Sequence, residues 1–291
     1  MLAGERDTWA GRMREDDEDD EPVTSRRRSS SILEALGFKQ SKFIVCSGDK
    51  LEKDSLKDAP VYAFGKEGDC FETRQLIKEA SLGNRDSQFS LGYYYDVGSK
   101  GIEPDTDQAV HWYTQAALQG HPTAANNLGV LYSTGHRGKI ACNWAEAMRW
   151  YELSARLGNP NAAFHIGLAY FTGDGVEKKD DILAFQWFKK AGKKGHILGI
   201  SNVGAMYMGG RGVEKNLKKA LKWLHKAVDM YGDTVAAHNL GVMYLKGLGT
   251  RPSPMMAERY FLMVQSSSKM VIPDHLAKQT METGQPLYNS H

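Results

Sequence analysis

A glycine recurs at Gly92, Gly129, Gly167, Gly204 and Gly241, at intervals of 37, 38, 37 and 37 residues. A fixed period of that length marks a stacked helical repeat, because one unit is too small to bury its own apolar face and must lean on the next. Other positions keep the same register. An aliphatic residue precedes each glycine (Leu91, Leu128, Ile166, Val203, Leu240), and a tyrosine follows it by three (Tyr95, Tyr132, Tyr170, Tyr207, Tyr244). Further on, an aromatic recurs at Trp112, Trp150, Trp187, Trp223 and Tyr260, always with alanine three residues before it. Seven residues before that aromatic stands a helix-capping type: Asp105, Asn143, Asp180, Asn216 or Ser253.

The stretch from Ala162 to Gly195 shows how one unit is built. Ala163, Ile166, Gly167 and Tyr170 follow i, i+3, i+4, i+7, an amphipathic helical stripe. A helical glycine costs about 1 kcal/mol against alanine, so Gly167 marks a place where another helix comes close. Gly173 and Gly175 supply the positive φ that turns the chain. Asp180 then caps a second helix that buries Ala184, Trp187, Phe188 and Ala191 and ends at Gly195. Each unit is thus a pair of short helices with one apolar face apiece.

These residues resemble the Sel-one-like repeat family, a branch of the tetratricopeptide-like superfamily. The resemblance rests on Asn127-Leu128-Gly129 with Tyr132, on Gly173-Asp174-Gly175-Val176, and on Ala109 through Trp112-Tyr113 to Ala116-Ala117. It implies an all-α, right-handed superhelical solenoid of antiparallel helix pairs, and roles as scaffold, assembly or regulatory subunit. Two features depart from the pattern. The first two turns carry an extra residue (Gly98-Ser99-Lys100-Gly101, Gly135-His136-Arg137-Gly138), and the fifth copy has Tyr260 for Trp and Val264 for Ala.

The expected organisation is an arm over 1–48, an N-terminal cap region over 49–84, five repeats over 85–265, and a capping helix and tail over 266–291. The spacing predicts a helix over 70–82 that looks like a second helix without its partner, and another from Pro273 to Thr283. The latter is either a cap for the array end or a free linear motif. The arm carries seven consecutive acids, Glu15–Glu21, and then Arg26-Arg27-Arg28-Ser29-Ser30-Ser31. Such charge blocks bury little, and disorder is the expectation. Ser29 and Ser30 have arginines two and three residues upstream, the pattern basophilic kinases read. Phosphorylation of a regulatory arm and an incidental match in a solvated tail both fit. Residues 43–68 read as neither helix nor strand with any clarity.

Composition narrows the function classes. A net charge of +2 gives no general affinity for nucleic acid or membrane. Three scattered cysteines, Cys46, Cys70 and Cys142, suit a reducing compartment and offer neither a disulfide framework nor a thiolate zinc site. No apolar run is long enough for a transmembrane helix, no signal-peptide pattern opens the chain, and a cytoplasmic location is expected. No metal, nucleotide or nucleophile motif stands out among the nine histidines and the Gly-x-Gly turns. The expectation is therefore a protein without enzymatic activity and without a cofactor.

Two surfaces remain as candidates. On the first helices, the residue two before the glycine lies away from the packed side: Ser90, Asn127, His165, Asn202 and Asn239. The residue just after it reads Tyr93, Val130, Leu168, Ala205 and Val242. In a stack of this kind the first helices line a concave groove. An asparagine ladder there can hold an extended peptide by its main chain, or serve contacts between helices. The second surface is basic: Lys189, Lys190, Lys193, Lys194, Lys218, Lys219, Lys222 and Lys226. It reads as a solvated outer face or as a site for an acidic partner, the chain's own Glu15–Glu21 run included. Three function hypotheses follow: an adaptor that binds a partner protein or peptide, a regulatory subunit inhibited by its own arm, and, in a different class, an enzyme built on a repeat scaffold.

Overall fold

The computed structural model describes residues 71–136 and 138–267. The arm, the stretch 43–68 and the helix expected over 273–283 lie outside the described residues. Among the described residues there are eleven α-helices and no strand. They are α1 (Phe71–Ser81), α2 (Arg85–Val97), α3 (Thr106–Leu118), α4 (Pro122–Thr134), α5 (Trp144–Arg156), α6 (Pro160–Thr172), α7 (Asp181–Lys193), α8 (Ile197–Gly209), α9 (Leu217–Tyr231), α10 (Thr234–Lys246) and α11 (Pro254–Ser267). Even-numbered helices are the first helices of the five repeats, and α3, α5, α7, α9 and α11 are the second. The described residues divide into two compact units, one running up to Ala162 and the other from Ala163 onward.

What joins the two helices of a repeat is the glycine. A Cβ on Gly92, Gly129, Gly167, Gly204 or Gly241 would stand only 2.7, 2.4, 2.8, 2.7 or 2.5 Å from the nearest side-chain atom of Tyr113, Tyr151, Phe188, Leu224 or Phe261. Those five residues each follow the repeat aromatic by one. The glycine is therefore a socket, and the bulky residue after the Trp or Tyr fills it. The aliphatic residue before each glycine is fully buried beside this contact, at 0–1% exposure.

The turn between the helices is closed the same way five times. The backbone N–H of each cap residue donates to the carbonyl of the repeat tyrosine: Asp105 to Tyr95 at 2.8 Å, Asn143 to Tyr132 at 2.7, Asp180 to Tyr170 at 3.0, Asn216 to Tyr207 at 2.9, Ser253 to Tyr244 at 2.8. The cap side chain then accepts from the first turn of its helix, as Asp180 does from the N–H groups of Ile182 and Leu183, both at 2.9 Å. The extra residue in the first two turns is taken up by an isolated bridge, Ser99–Ile102 and His136–Ile140.

Each unit has its own core. In the first, Leu91, Trp112, Tyr113, Leu128 and Trp150 pack with the small residues Ala80, Ala116, Ala117, Ala124 and Ala125. In the second, Phe188, Ile200, Val203, Leu224, Leu240 and Met243 do so around Ala184, Ala220 and Ala227. Small residues let successive repeats approach closely. At Gly192 and Gly199 the approach reaches the main chain: a Cβ on Gly192 would lie 3.1 Å from the Ile200 nitrogen, and one on Gly199 3.0 Å from the Gly192 nitrogen.

Helix α1 behaves as a second helix. It packs on α2, and the Gln88 side-chain amide donates to the Ala80 carbonyl at 3.1 Å. The turn of the following repeat also clasps its first residues. The Thr73 hydroxyl donates to the Lys100 carbonyl at 3.1 Å, and the Lys100 ammonium stands 3.6 Å from Glu72. The same clasp recurs with Lys139 on Asp107 at 3.8 Å and with Arg211 on Asp181 at 2.7 Å. At the other end the seam changes character. Ala116-Ala117, Ser154-Ala155, Ala191-Gly192 and Ala227-Val228 are all buried, whereas in α11 the matching pair is half-buried Val264 and exposed Gln265.

Candidate protein-binding surfaces

On a first helix the buried arc takes in the glycine, the aliphatic residue before it and the tyrosine three after. The arc left open carries the residues at minus two and plus one, spaced i, i+3 as helical neighbours. In the first unit these are Ser90 with Tyr93 on α2, and Asn127 with Val130 on α4. In the second they are His165 with Leu168 on α6, Asn202 on α8 and Asn239 on α10. Each set lies on one side of its own unit, where Tyr93 and Leu168 are exposed, Asn239 is buried and the others are half-buried.

The polar members of this arc are largely engaged by their own unit. The Ser90 hydroxyl donates to the Asp86 carbonyl one turn back at 3.0 Å, and the Asn202 amide donates to the Leu198 carbonyl at 2.7 Å. Thr134 and Thr172, further along the same arc, donate to Val130 and Leu168 at 2.8 and 3.0 Å. Asn127 donates to the Tyr113 hydroxyl at 3.2 Å, which donates in turn to Asp96 at 3.3 Å. Burial pushes the Tyr113 phenol well above its usual range, with the Asn127 donor acting against it and the Asp96 carboxylate with it. Asn239 is buried at 6% exposure. His165 is half-buried, and burial lowers its imidazole.

The apolar members stand out instead. Tyr93 and Val97 are each 45% exposed, Leu198 is 45% exposed and Leu168 39%. Val130, Ala205 and Val242 are half-buried. Side-chain contact is what this arc offers.

One position that sequence reasoning missed is the minus-three residue, which meets the cap of the following repeat. His121 caps α4 by accepting the Ala124 N–H at Nδ1, 3.1 Å, and its ring stacks on Phe89 at 4.3 Å. His196 caps α8 by accepting the Gly199 N–H at 3.0 Å and stacks on Phe164 at 4.3 Å. The third such pair is polar, Ser201 donating to Asp233. Burial lowers both imidazoles. His196 is driven down to about 4 with His165 adding to the effect, whereas Asp86 partly offsets the shift at His121. The sequence signal was a histidine directly after the closing glycine, in Gly120-His121 and Gly195-His196.

The second-helix face of the second unit is basic. From Ala163 to Ser267 there are fifteen Lys and Arg against eight Asp and Glu, net +7; from Phe71 to Ala162 there are eight against nine, net −1. Lys193, Lys194, Lys218, Lys219 and Lys222 are exposed, and Lys189, Lys190 and Lys226 half-buried. Lys190 lies over the Trp187 ring at 4.8 Å, Lys226 over Trp223 at 5.5 Å, and Lys219 over Tyr207 at 5.5 Å. A Cβ on Gly192 would sit 3.2 Å from the Trp223 ring, so the end of α7 and the middle of α9 form one surface. On α7, Lys190 and Lys193 occupy the last turn, where the helix dipole favours a cation. On α9, Lys218 and Lys219 occupy the first turn, where it disfavours one. The second helices α3, α5 and α7 carry an acid in that turn, Asp107, Glu146 and Asp181.

Among the described residues no helix is long and apolar enough to cross a membrane. A sequence model of the Sel1 repeat matches the chain five times, over residues 85–121, 122–159, 160–196, 198–231 and 234–263. A solved Sel1 repeat protein from Oxalobacter formigenes is similar with a TM-score of 0.57 at 30% identity, over 69% of this chain and 78% of that one. A protective antigen of uropathogenic Escherichia coli displaying an SLR fold gives 0.55 at 29% identity, over 67% of this chain and 48% of that one. Two longer relatives match locally. The ERAD-associated E3 ubiquitin-protein ligase component HRD3A of Arabidopsis thaliana is 29% identical over 89 residues, which is 31% of this chain and 12% of that protein. The chitin synthase regulator SKT5 of Saccharomyces cerevisiae is 41% identical over 59 residues, 20% of this chain and 8% of that protein.

Proposed function

The chain belongs to the Sel1 repeat family, and from that premise we propose that it is a non-catalytic adaptor that binds a partner protein or peptide on the open arc of its first helices. The observation that carries the reading is the exposure on the first helices of Tyr93 and Val97 in the first unit and of Leu168 and Leu198 in the second, while the neighbouring hydroxyls and the Asn202 amide bond back into their own helices. Such a surface receives apolar side chains, and its polar groups set the limits of the contact. The names of the two longer relatives, a ligase component and a synthase regulator, support the role of accessory subunit to an enzyme. Each match covers about a tenth of the relative's length, so the partner is not carried over with it.

The test uses proximity labelling on the full chain beside the variant Tyr93→Lys/Leu168→Lys. Both positions are exposed, so helix content and Tm should stay within error. A set of labelled proteins lost in the variant supports the adaptor reading; an unchanged set removes this arc as the binding surface. The asparagine positions receive a separate arm, with Asn127, Asn202 and Asn239 changed to Ala. Retained binding, or a lowered Tm, assigns those residues to structure.

A further inference from the structure

We infer that the basic face formed by α7 and α9 is a docking site for the acidic run Glu15–Glu21 of this same chain. The first turn of α9 carries charge of the wrong sign for a helix start. Lys218 and Lys219 stand there against the helix dipole, where α3, α5 and α7 place an acid. Helix stability does not account for them. Lys222 continues the row one turn on from Lys218, and Lys226 one turn further. Asp229 is the single acid of α9 and follows Lys226. Among the described residues no carboxylate lies within ion-pair distance of Lys218, Lys219, Lys222 or Lys226. Asp181, the acid that opens α7, is held by Arg211 at 2.7 Å. Rings hold two of the α9 ammonium groups at the surface, Tyr207 under Lys219 and Trp223 under Lys226. The α7 lysines extend the same field past Gly192.

Seven consecutive acids match a row of lysines one turn apart, and no other run of this kind exists in the chain. Forty-nine residues separate Glu21 from Phe71. Fully extended, a stretch of that length reaches on the order of 160 Å, so chain length does not exclude the contact. The site is separate from the first-helix arc, so the two proposals fail independently.

The experiment measures binding of a fluorescent peptide of residues 15–22 by anisotropy. One protein is the full chain; the other is the full chain with all seven acids of Glu15–Glu21 changed to their amides. The peptide should bind the amide variant at least tenfold more tightly, because the native arm no longer competes, and added salt should weaken it. Lys218→Gln, Lys219→Gln, Lys222→Gln and Lys226→Gln in the amide variant should abolish it with unchanged helix content, while Tyr93→Lys/Leu168→Lys should not. Equal affinity for the two proteins overturns the proposal, as does binding that survives the four glutamines. A single-stranded oligonucleotide that binds the amide variant where the peptide does not would give the face to a different polyanion and overturn it too.

Discussion

In the unit ending at Ala162, the residues seated on the repeat glycines are Tyr113 and Tyr151, and both hydroxyls are hydrogen-bonded, to Asp96 and Asn127 and to Ser133. In the unit beginning at Ala163 they are Phe188, Leu224 and Phe261. The same socket is thus filled by a phenol inside a polar network in one half and by plain hydrocarbon in the other. The requirement at that position is bulk, and the chemistry of the filler is free to vary. Surface charge varies with equal freedom, from −1 to +7, because stacking uses one face of each helix and leaves the others open.

The largest effects should come from the socket itself. Gly129→Ala sets a methyl 2.4 Å from the rigid Tyr151 ring, whereas in Gly204→Ala the neighbours are Cδ2 and Cγ of the buried Leu224, both at 2.7 Å. Alanine improves helix propensity by about 1 kcal/mol at either site, and overpacking opposes it by about 1–3 kcal/mol. Urea denaturation should therefore give a net loss at both sites, larger for Gly129→Ala than for Gly204→Ala, where the branched side chain has more freedom to shift than a ring. Equal losses would mean that the filler's stiffness is irrelevant.

Tyr113→Phe carries the first unit to the chemistry of the second. It removes the acceptor for Asn127 and the donor to Asp96, and a net loss of about 1 kcal/mol is expected. Tyr151→Phe should cost less, because the Ser133 hydroxyl also donates to the Val130 carbonyl at 3.1 Å. If both are neutral, the polar network is an accompaniment to packing and not part of what holds the first unit together.

Acid should separate the units further. His196 titrates near 4 in the folded chain, against about 6.5 unfolded. Above 6.5 the contribution is fully present. As pH falls from 6.5 toward 4 the unfolded chain takes up a proton that the folded one refuses, and stability is lost. The imidazole cannot both carry that proton at Nδ1 and accept the Gly199 N–H. Tm should fall between pH 7 and 5, and His196→Asn, which keeps a capping acceptor, should flatten the fall. His121→Asn should flatten it less, since Asp86 offsets part of the shift there.

Much of this architecture could be read from residues. The period, the caps at Asp105, Asn143, Asp180 and Asn216, the positive-φ glycines and the unpaired second helix over 70–82, observed as Phe71–Ser81, follow from rules that act within a few residues. The residue after each Trp was also in register, always large, but its meaning lay in a helix some twenty residues upstream. The Gly192–Gly199 crossing and the clasps at Lys100, Lys139 and Arg211 join neighbouring repeats, and no local pattern announces them. Of the candidate arc, its position on the helix was legible. That its hydroxyls and the Asn202 amide bond inward was not, because a serine or asparagine reads the same whether it faces a ligand or its own carbonyl.

The smallest predicted effect tests the charge difference at its source. Lys193 closes α7 and Lys218 opens α9, and both are exposed. The same change, Lys to Glu, should act with opposite sign at the two. At Lys193 it sets a negative charge on the negative end of the dipole, and at Lys218 on the positive end. Each is worth about 0.3–1 kcal/mol at low salt. The comparison is cleanest in the chain whose Glu15–Glu21 acids are amides, where no arm contact is lost along with the lysine. There Lys193→Glu should lower Tm slightly and Lys218→Glu raise it slightly, both fading as salt is added. In the intact chain the gain at Lys218 should shrink, since that lysine then also holds the arm. If the gain is the same in both backgrounds, the lysines of α9 have no acidic occupant, and their place at the head of the helix needs another cause.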